Sequence, residues 1–145
     1  RVGINGRLDT LQAAILLAKF DIFPQEVELR QNVVRCYTKL LTPHSSLLTP
    51  HVPEEYKSVW AQYSLLAKDE AHRTGVLKKL QDHKIPTAIY YPKPLHMQMA
   101  FEYLKYKTGD FPVTEDTAKR IFSLPMHPYL TAEEQTRIAE TMDNG

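Results

Sequence analysis

The stretch from Leu11 to Phe20 constrains this chain more than any other, because read as a helix it is apolar on nearly every side. Leu11, Ala14, Ile15, Leu16, Leu17, Ala18 and Phe20 cover more than the single stripe that a surface helix needs. Such a helix is expected between two layers or at a subunit interface. Asp9 followed by Gln12 reads as a capping box: the Asp9 carboxylate accepts an orphan amide of the first turn while Gln12 reaches back. That places the helix start near Thr10. The polar loop before it, which carries Asn5 and Arg7, is thereby expected to be fixed to a buried post.

A second helix is predicted after Pro24, which suits a first turn because its missing amide would be an orphan there. Phe23, Val27, Arg30, Val34, Tyr37 and Leu41 draw one face of it. Arg30 is expected to pack its stem and carry its guanidinium to the surface or to a carboxylate. Cys36 reads as a small core residue, since no His or Asp pattern accompanies it. Residues 43–56 read as a loop. Val59, Ala61, Tyr63 and Leu65 then alternate with Trp60, Gln62 and Ser64 in a predicted strand over 59–67. A helix capped by Asp69 follows, with Ala71, Val76, Leu77 and Leu80 inward, and then a short strand over 85–91. Strand, helix, strand implies a small α/β unit with a sheet covered on one side. Farther on, a short helix is predicted over 97–105 with Met97, Ala100, Phe101 and Leu104 inward. A helix capped by Thr114, an extended piece over 123–126, and a last helix opened by the capping box Thr131 to Glu134 complete the chain.

Composition sets the outer bounds. The 145 residues, 43% hydrophobic and 24% charged, suffice for one domain with a core. A net charge of +1 gives no case for nucleic-acid or membrane binding. The single cysteine excludes an intramolecular disulfide and a cysteine-based zinc site, which points to a reducing cytoplasm. The six histidines lack the spacing of a helical metal site, so no metal is expected, and neither a Gly-rich phosphate loop nor a G-x-S-x-G elbow is present. No run has the length of a transmembrane helix. The chain begins without Met and inside a motif, so it is expected to be a piece of a longer protein.

Bottom-up, two places could carry chemistry. One is the opening loop with Asn5 and Arg7. The other is Tyr90-Tyr-Pro-Lys-Pro-Leu-His96, stiffened by two prolines. Arg7 and Lys93 offer donors to phosphate or carboxylate, and Tyr90 and Tyr91 offer flat surfaces to a sugar or base. Each has a plainer reading: Asn5 as a turn residue beside Gly3 and Gly6, Tyr91 as core, and His96 as the partner of a backbone carbonyl.

Three motifs also carry a resemblance. Gly3-x-Asn5-x-Arg7-Leu-Asp-Thr-Leu-Gln-Ala-Ala14, then Pro86-Thr-Ala-Ile-Tyr-Tyr-Pro-Lys-Pro-Leu-His96, then Phe111-Pro-Val with Ser123-Leu-Pro-Met-His-Pro128, resemble the C-terminal part of the DegT/DnrJ/EryC1/StrS sugar aminotransferases, in order and in register. The resemblance implies an α/β (α+β) fold: the small C-terminal domain of a fold-type-I pyridoxal-phosphate enzyme, with a short, mainly antiparallel sheet and flanking helices. Residues 1–42 would link to a large N-terminal domain, and 43–145 would form the small one. It further implies a homodimer with shared active sites, in which Asn5 reaches the cofactor phosphate of the neighbouring subunit and Arg7 meets the substrate sugar or its carboxylate. Tyr91 and His96 would line the nucleotide-sugar pocket beside Tyr90, which stands where many relatives have His. Lys84 likewise stands where relatives often have a helix-ending Gly. The Schiff-base lysine of the family has no matching context here, so no catalytic residue is expected in this chain, which should not transaminate alone. The reaction implied moves an amino group from glutamate to a UDP-linked keto-sugar, and Val2-Gly-Ile-Asn-Gly-Arg-Leu-Asp9, Ala14-Ile-Leu-Leu-Ala-Lys19 and Ser58-Val-Trp-Ala-Gln62 are similar to the branch acting on a 3-keto hexuronic acid for O-antigen or lipopolysaccharide synthesis. A 4-keto-6-deoxy substrate, or a non-catalytic nucleotide-sugar-binding or dimerisation module, is the alternative.

Overall fold

The structure, a computed structural model, describes residues 6–42 and 46–143. Helix α1 runs Thr10–Phe20, and the Asp9 carboxylate accepts the Gln12 amide at 2.9 Å, as the capping pattern predicts. Helix α2 spans Phe23–Leu41 with proline in its first turn. Then follow β1 (Leu47–Leu48), β2 (Tyr63–Ala67), α3 (Glu70–Asp82), two 3-10 turns (Leu95–Met97 and Met99–Leu104), α4 (Pro112–Arg120), β3 (Ile121–Leu124) and α5 (Ala132–Asp143). The three strands form one antiparallel sheet in the order β1-β2-β3, with Leu48 opposite Leu66 and Leu65 opposite Phe122. An α+β domain with a short antiparallel sheet is therefore what the chain builds.

One face of β2 presents Tyr63, Leu65 and Ala67 to the core, and α2 meets them with Val33, Tyr37 and Leu41. Val76 and Leu80 of α3, Phe122 of β3, and Ile138 and Met142 of α5 close the cluster. Each fully buried Leu or Phe contributes roughly 1.5–3 kcal/mol of transfer free energy. Polar pins fix the registry. The Tyr37 and Tyr63 rings stack at 5.1 Å, and the Tyr37 hydroxyl donates to the Pro125 carbonyl at 3.1 Å. The buried Gln135 amide of α5 donates to the Val33 carbonyl of α2 at 2.8 Å. At the last capping box both halves form: Glu134 N–H donates to Thr131 Oγ1, and Thr131 N–H donates to the Glu134 carboxylate.

Helix α1 contains no buried residue; Leu11, Leu17 and Phe20 are 75%, 73% and 72% exposed. The described residues do not supply the second layer expected for it; α1 packs on α2, where the Phe20 and Phe23 rings stack at 6.3 Å.

Five local expectations are corrected. The strand predicted from Val59 starts at Tyr63, because Trp60 sits at φ 53 and its carbonyl is taken by Arg30 Nη1 at 2.9 Å, while Gln31 Nε2 donates to the Ser58 carbonyl. The groups that a sheet ladder would use are occupied by α2. Arg30 thus serves a backbone carbonyl, not a carboxylate. The strand predicted over 85–91 reduces to a single bridge between Ala88 and Ser123, since Pro86 brings no amide to a ladder. The helix predicted over 97–105 is two 3-10 turns parted by extended Gln98, with Ala100 and Leu104 exposed. Helix α4 begins at Pro112 with no side-chain cap, so Thr114 lies inside it.

Candidate functional site

The loop over 86–96 leaves the sheet at Ala88, whose N–H and C=O both pair with Ser123. Beyond that bridge it turns outward. Tyr90 and Tyr91 are 43% and 69% exposed, so Tyr91 is a surface residue rather than core. The loop is braced by its own bonds: Met97 N–H to the Pro94 carbonyl, and the Gln98 side-chain amide to the Lys93 carbonyl at 3.1 Å.

Facing this loop is α4. Together they wall a cleft of about 260 Å³, with Tyr90, Tyr91, Lys93 and Leu95 on one side and Val113, Thr114 and Thr117 on the other. Its floor is Ile121 at the start of β3 and Ala118. The lining is largely apolar, with one ammonium from Lys93 and two hydroxyls one helical turn apart on α4. That combination suits a flat ring held against aromatic faces with an anionic or hydroxylated end near the lysine. Lys93 also borders an adjoining groove of about 490 Å³, lined by His96, Glu102 and Lys107 among others.

His96 belongs to that second groove. Its side chain is 7% exposed, and its Nε2 lies 3.1 Å from Glu115 Oε1, so its partner is a carboxylate rather than a backbone carbonyl. The Phe111 ring covers it at 4.8 Å, and Tyr106 meets Phe111 edge-on at 4.9 Å. Glu115 also accepts the Gly109 N–H at 2.8 Å, and this bond, ahead of the one to His96, holds its carboxyl below the usual carboxylate range.

The structure brings Tyr90, Tyr91 and Lys93 together and sets His96 beside them. Arg7, on the loop before α1, is exposed, lines neither cleft, and has no bonding partner among the described residues. Asn5 lies outside the described residues. Sequence reasoning did not find Thr114, Thr117 and Glu115. The three-residue step between Thr114 and Thr117 is a faint signal of a shared helix face, and nothing in the sequence pairs Glu115 with His96.

A pyridoxal phosphate held covalently needs an enclosed lysine and a phosphate cradle. Among the described residues the lysines are exposed, apart from half-buried Lys79 on α3, and Lys93 in the cleft is one of the exposed ones. These residues do not make up a complete site for that cofactor. Among them, too, no group of His, Cys, Asp and Glu could hold a metal ion, and no helix is long and apolar enough to cross a membrane.

Comparison with known proteins extends over nearly the whole chain. It is 41% identical over 144 residues, 99% of its length, to the UDP-2-acetamido-2-deoxy-3-oxo-D-glucuronate aminotransferase of Pseudomonas aeruginosa, of which it spans 38%. It is 38% identical over 141 residues to a pleiotropic regulatory protein of Geobacillus stearothermophilus, covering 96% of this chain and 37% of that one. A crystal structure of a DegT DnrJ EryC1 StrS aminotransferase from Brucella abortus superposes with a TM-score of 0.85 at 42% identity, covering 99% of this chain and 37% of that one. Residues 1–143 match one family throughout, and the chain belongs to the DegT/DnrJ/EryC1/StrS aminotransferase family.

Proposed function

We propose that this chain is the C-terminal part of a pyridoxal-phosphate aminotransferase that moves an amino group from glutamate to a UDP-linked 3-keto-hexuronic acid. One observation carries the reading: the 41% identity, running the length of the chain, to an aminotransferase named for a UDP-linked 3-oxo-glucuronate. The exposed pair Tyr90 and Tyr91, with Lys93 on the same wall opposite α4, supports a nucleotide-sugar cleft here. In this reading the tyrosine faces receive a flat ring, and the Lys93 ammonium and the Thr114 and Thr117 hydroxyls receive anionic and hydroxyl oxygens. His96, held on Glu115, orders the loop from behind.

Arg7 pairs with the uronic carboxylate and Asn5 donates to the cofactor phosphate across a homodimer; the exposed apolar surface of α1 supports an interface at that end. Residues 1–42 connect to the remainder of the enzyme, with α2 anchored in the small-domain core. The cofactor supplies the amino-group carrier from a site completed outside these 145 residues, so the chain alone is inactive. The setting is cytoplasmic, in the synthesis of a surface polysaccharide such as O-antigen.

The test is an absorbance spectrum of the full-length protein loaded with pyridoxal phosphate and titrated with glutamate. The expected result is a bound-cofactor band that converts to the pyridoxamine form and is restored by the UDP-keto-sugar. A protein that binds no chromophore, or whose band ignores every amino donor, refutes the reading.

A further inference from the structure

Glu115 gathers two segments, the 109–111 turn and His96, onto one carboxylate. Its two oxygens accept the Gly109 N–H at 2.8 and 3.0 Å, Oε1 accepts the Phe111 N–H at 3.4 Å, and His96 Nε2 lies 3.1 Å away. The Glu115 and His96 side chains are 13% and 7% exposed, so this node is shielded from water. Its place beside the cleft matters. Thr114 and Thr117 of the α4 wall flank Glu115 in sequence, and Pro94 and Leu95 of the loop wall run directly into His96. Between Ala88 and Gln98, the His96 to Glu115 bond is the hydrogen bond among the described residues that crosses from the loop to another part of the chain. The loop is therefore pinned at the Ala88 bridge and at Glu115, with the exposed tyrosines between the pins.

We propose, resting on the nucleotide-sugar reading above, that Glu115 is a positioning residue for the substrate cleft: by tying His96 and the 109–111 turn to α4, it fixes the spacing of the cleft's two walls. It touches no substrate. Its removal leaves the amino-donor half of the reaction alone and loosens only the wall on which the sugar nucleotide rests.

The experiment uses the full-length enzyme with Glu115→Ala, Glu115→Gln, His96→Phe and the double variant Glu115→Ala/His96→Phe. Glu115→Ala is expected to raise KM for the UDP-keto-sugar and Kd for UDP, read by calorimetry, by about tenfold, with kcat and the glutamate half-reaction within about twofold of wild type. Glu115→Gln keeps an acceptor for Gly109 and a partner for His96, and recovers to within about threefold. The double variant is no worse than Glu115→Ala, because Glu115→Ala already cuts the tie that His96→Phe cuts. Should Glu115→Ala not fold, His96→Phe, which leaves Glu115 on Gly109 and Phe111, carries the KM and Kd comparison against Glu115→Gln. An unchanged KM, an equal fall in both half-reactions, or an additive double variant overturns the proposal while a glutamate-responsive wild type keeps the aminotransferase reading. A wild type that ignores amino donors and does not bind UDP overturns both.

Discussion

Replacing Lys84 with glycine should stabilise the domain, and the size of the gain follows from how α3 ends. Lys84 sits at φ 58, just past the His83 C-cap. Its N–H donates to the Gln81 carbonyl at 2.9 Å, and the next N–H, of Ile85, donates to the Leu80 carbonyl at 2.8 Å. Ile85 and Leu80 are 6% and 0% exposed, which supplies the apolar contact that accompanies such a Schellman ending. The left-handed conformation costs an L-residue about 1–2 kcal/mol. Glycine removes that cost and adds roughly 0.5–1 kcal/mol of unfolded-chain entropy. The Lys84 ammonium has no partner among the described residues, so its loss breaks no bond. The net expectation for Lys84→Gly is a gain of about 0.5–1 kcal/mol. Urea unfolding followed by the fluorescence of Trp60, the one tryptophan in the chain, reads it as a higher midpoint at unchanged slope. The melting temperature rises by roughly 2–4 °C per kcal/mol. Lys84→Val moves the other way, because a β-branched side chain tolerates positive φ least. A glycine variant at or below wild type, or a valine variant equal to it, refutes the argument from backbone strain.

Other outcomes follow from the same packing. Tyr37→Phe loses the bond to the Pro125 carbonyl and should cost about 1 kcal/mol. Burial also pushes the Tyr37 phenol far above its ordinary 10.0, so its contribution is complete below pH 10 and fades as pH climbs past it; urea midpoints should therefore fall less steeply in alkali for the Phe variant. Glu134 runs opposite in sign. The Thr131 N–H holds its carboxyl below the ordinary 4.5, so its contribution is present above that value and is lost as pH falls through the depressed one. Glu134→Gln should accordingly flatten the acid limb of stability against pH. Finally, Leu16→Glu with Phe20→Glu should reduce binding of an apolar dye and self-association of the isolated chain in light scattering; unchanged scattering would mean that the α1 face is not its source.

Much of this fold was legible in the sequence because it rests on local pattern. The Asp9, Asp69 and Thr131 caps, the inward Val76 and Leu80, and the C-terminal part of the α2 stripe at Tyr37 and Leu41 stand where periodicity and capping chemistry put them, whereas Phe23 at the head of that stripe is 51% exposed and Val33, outside it, is buried. The failures share a cause, which is that partners distant in sequence decided them. Alternation carried the strand back to Val59, but Arg30 and Gln31, on a helix some thirty residues earlier, claim the carbonyls of Trp60 and Ser58. The aromatic loop announced itself through Tyr90, Tyr91 and its prolines. Its opposite wall did not, since Val113, Thr114 and Thr117 read as ordinary helix surface until the loop is folded against them. Glu115 was silent for the same reason: a lone acid in a helix gives no sign of a histidine nineteen residues away.

Helix α1 marks the boundary between what a chain specifies about itself and what it specifies about its surroundings. Its pattern demands cover, yet within the described residues Leu11, Ile15, Leu16, Leu17 and Phe20 all remain more than half exposed. At roughly 1.5–3 kcal/mol for each large side chain, covering that face is worth on the order of 10 kcal/mol, as much as the whole stability of a typical domain. A surface of that value is not a loose end of the fold. It ties the conformation of the loop bearing Arg7 to whatever packs on α1, because the Asp9 cap joins loop and helix rigidly. The cleft beside Tyr91 is walled by this chain's own loop and α4. Arg7 borders neither groove, and in the proposed function its geometry depends on the cover on α1. In the proposed function the two ends of the substrate site are then built by different means: one by the loop and α4 of this domain, the other by what covers α1.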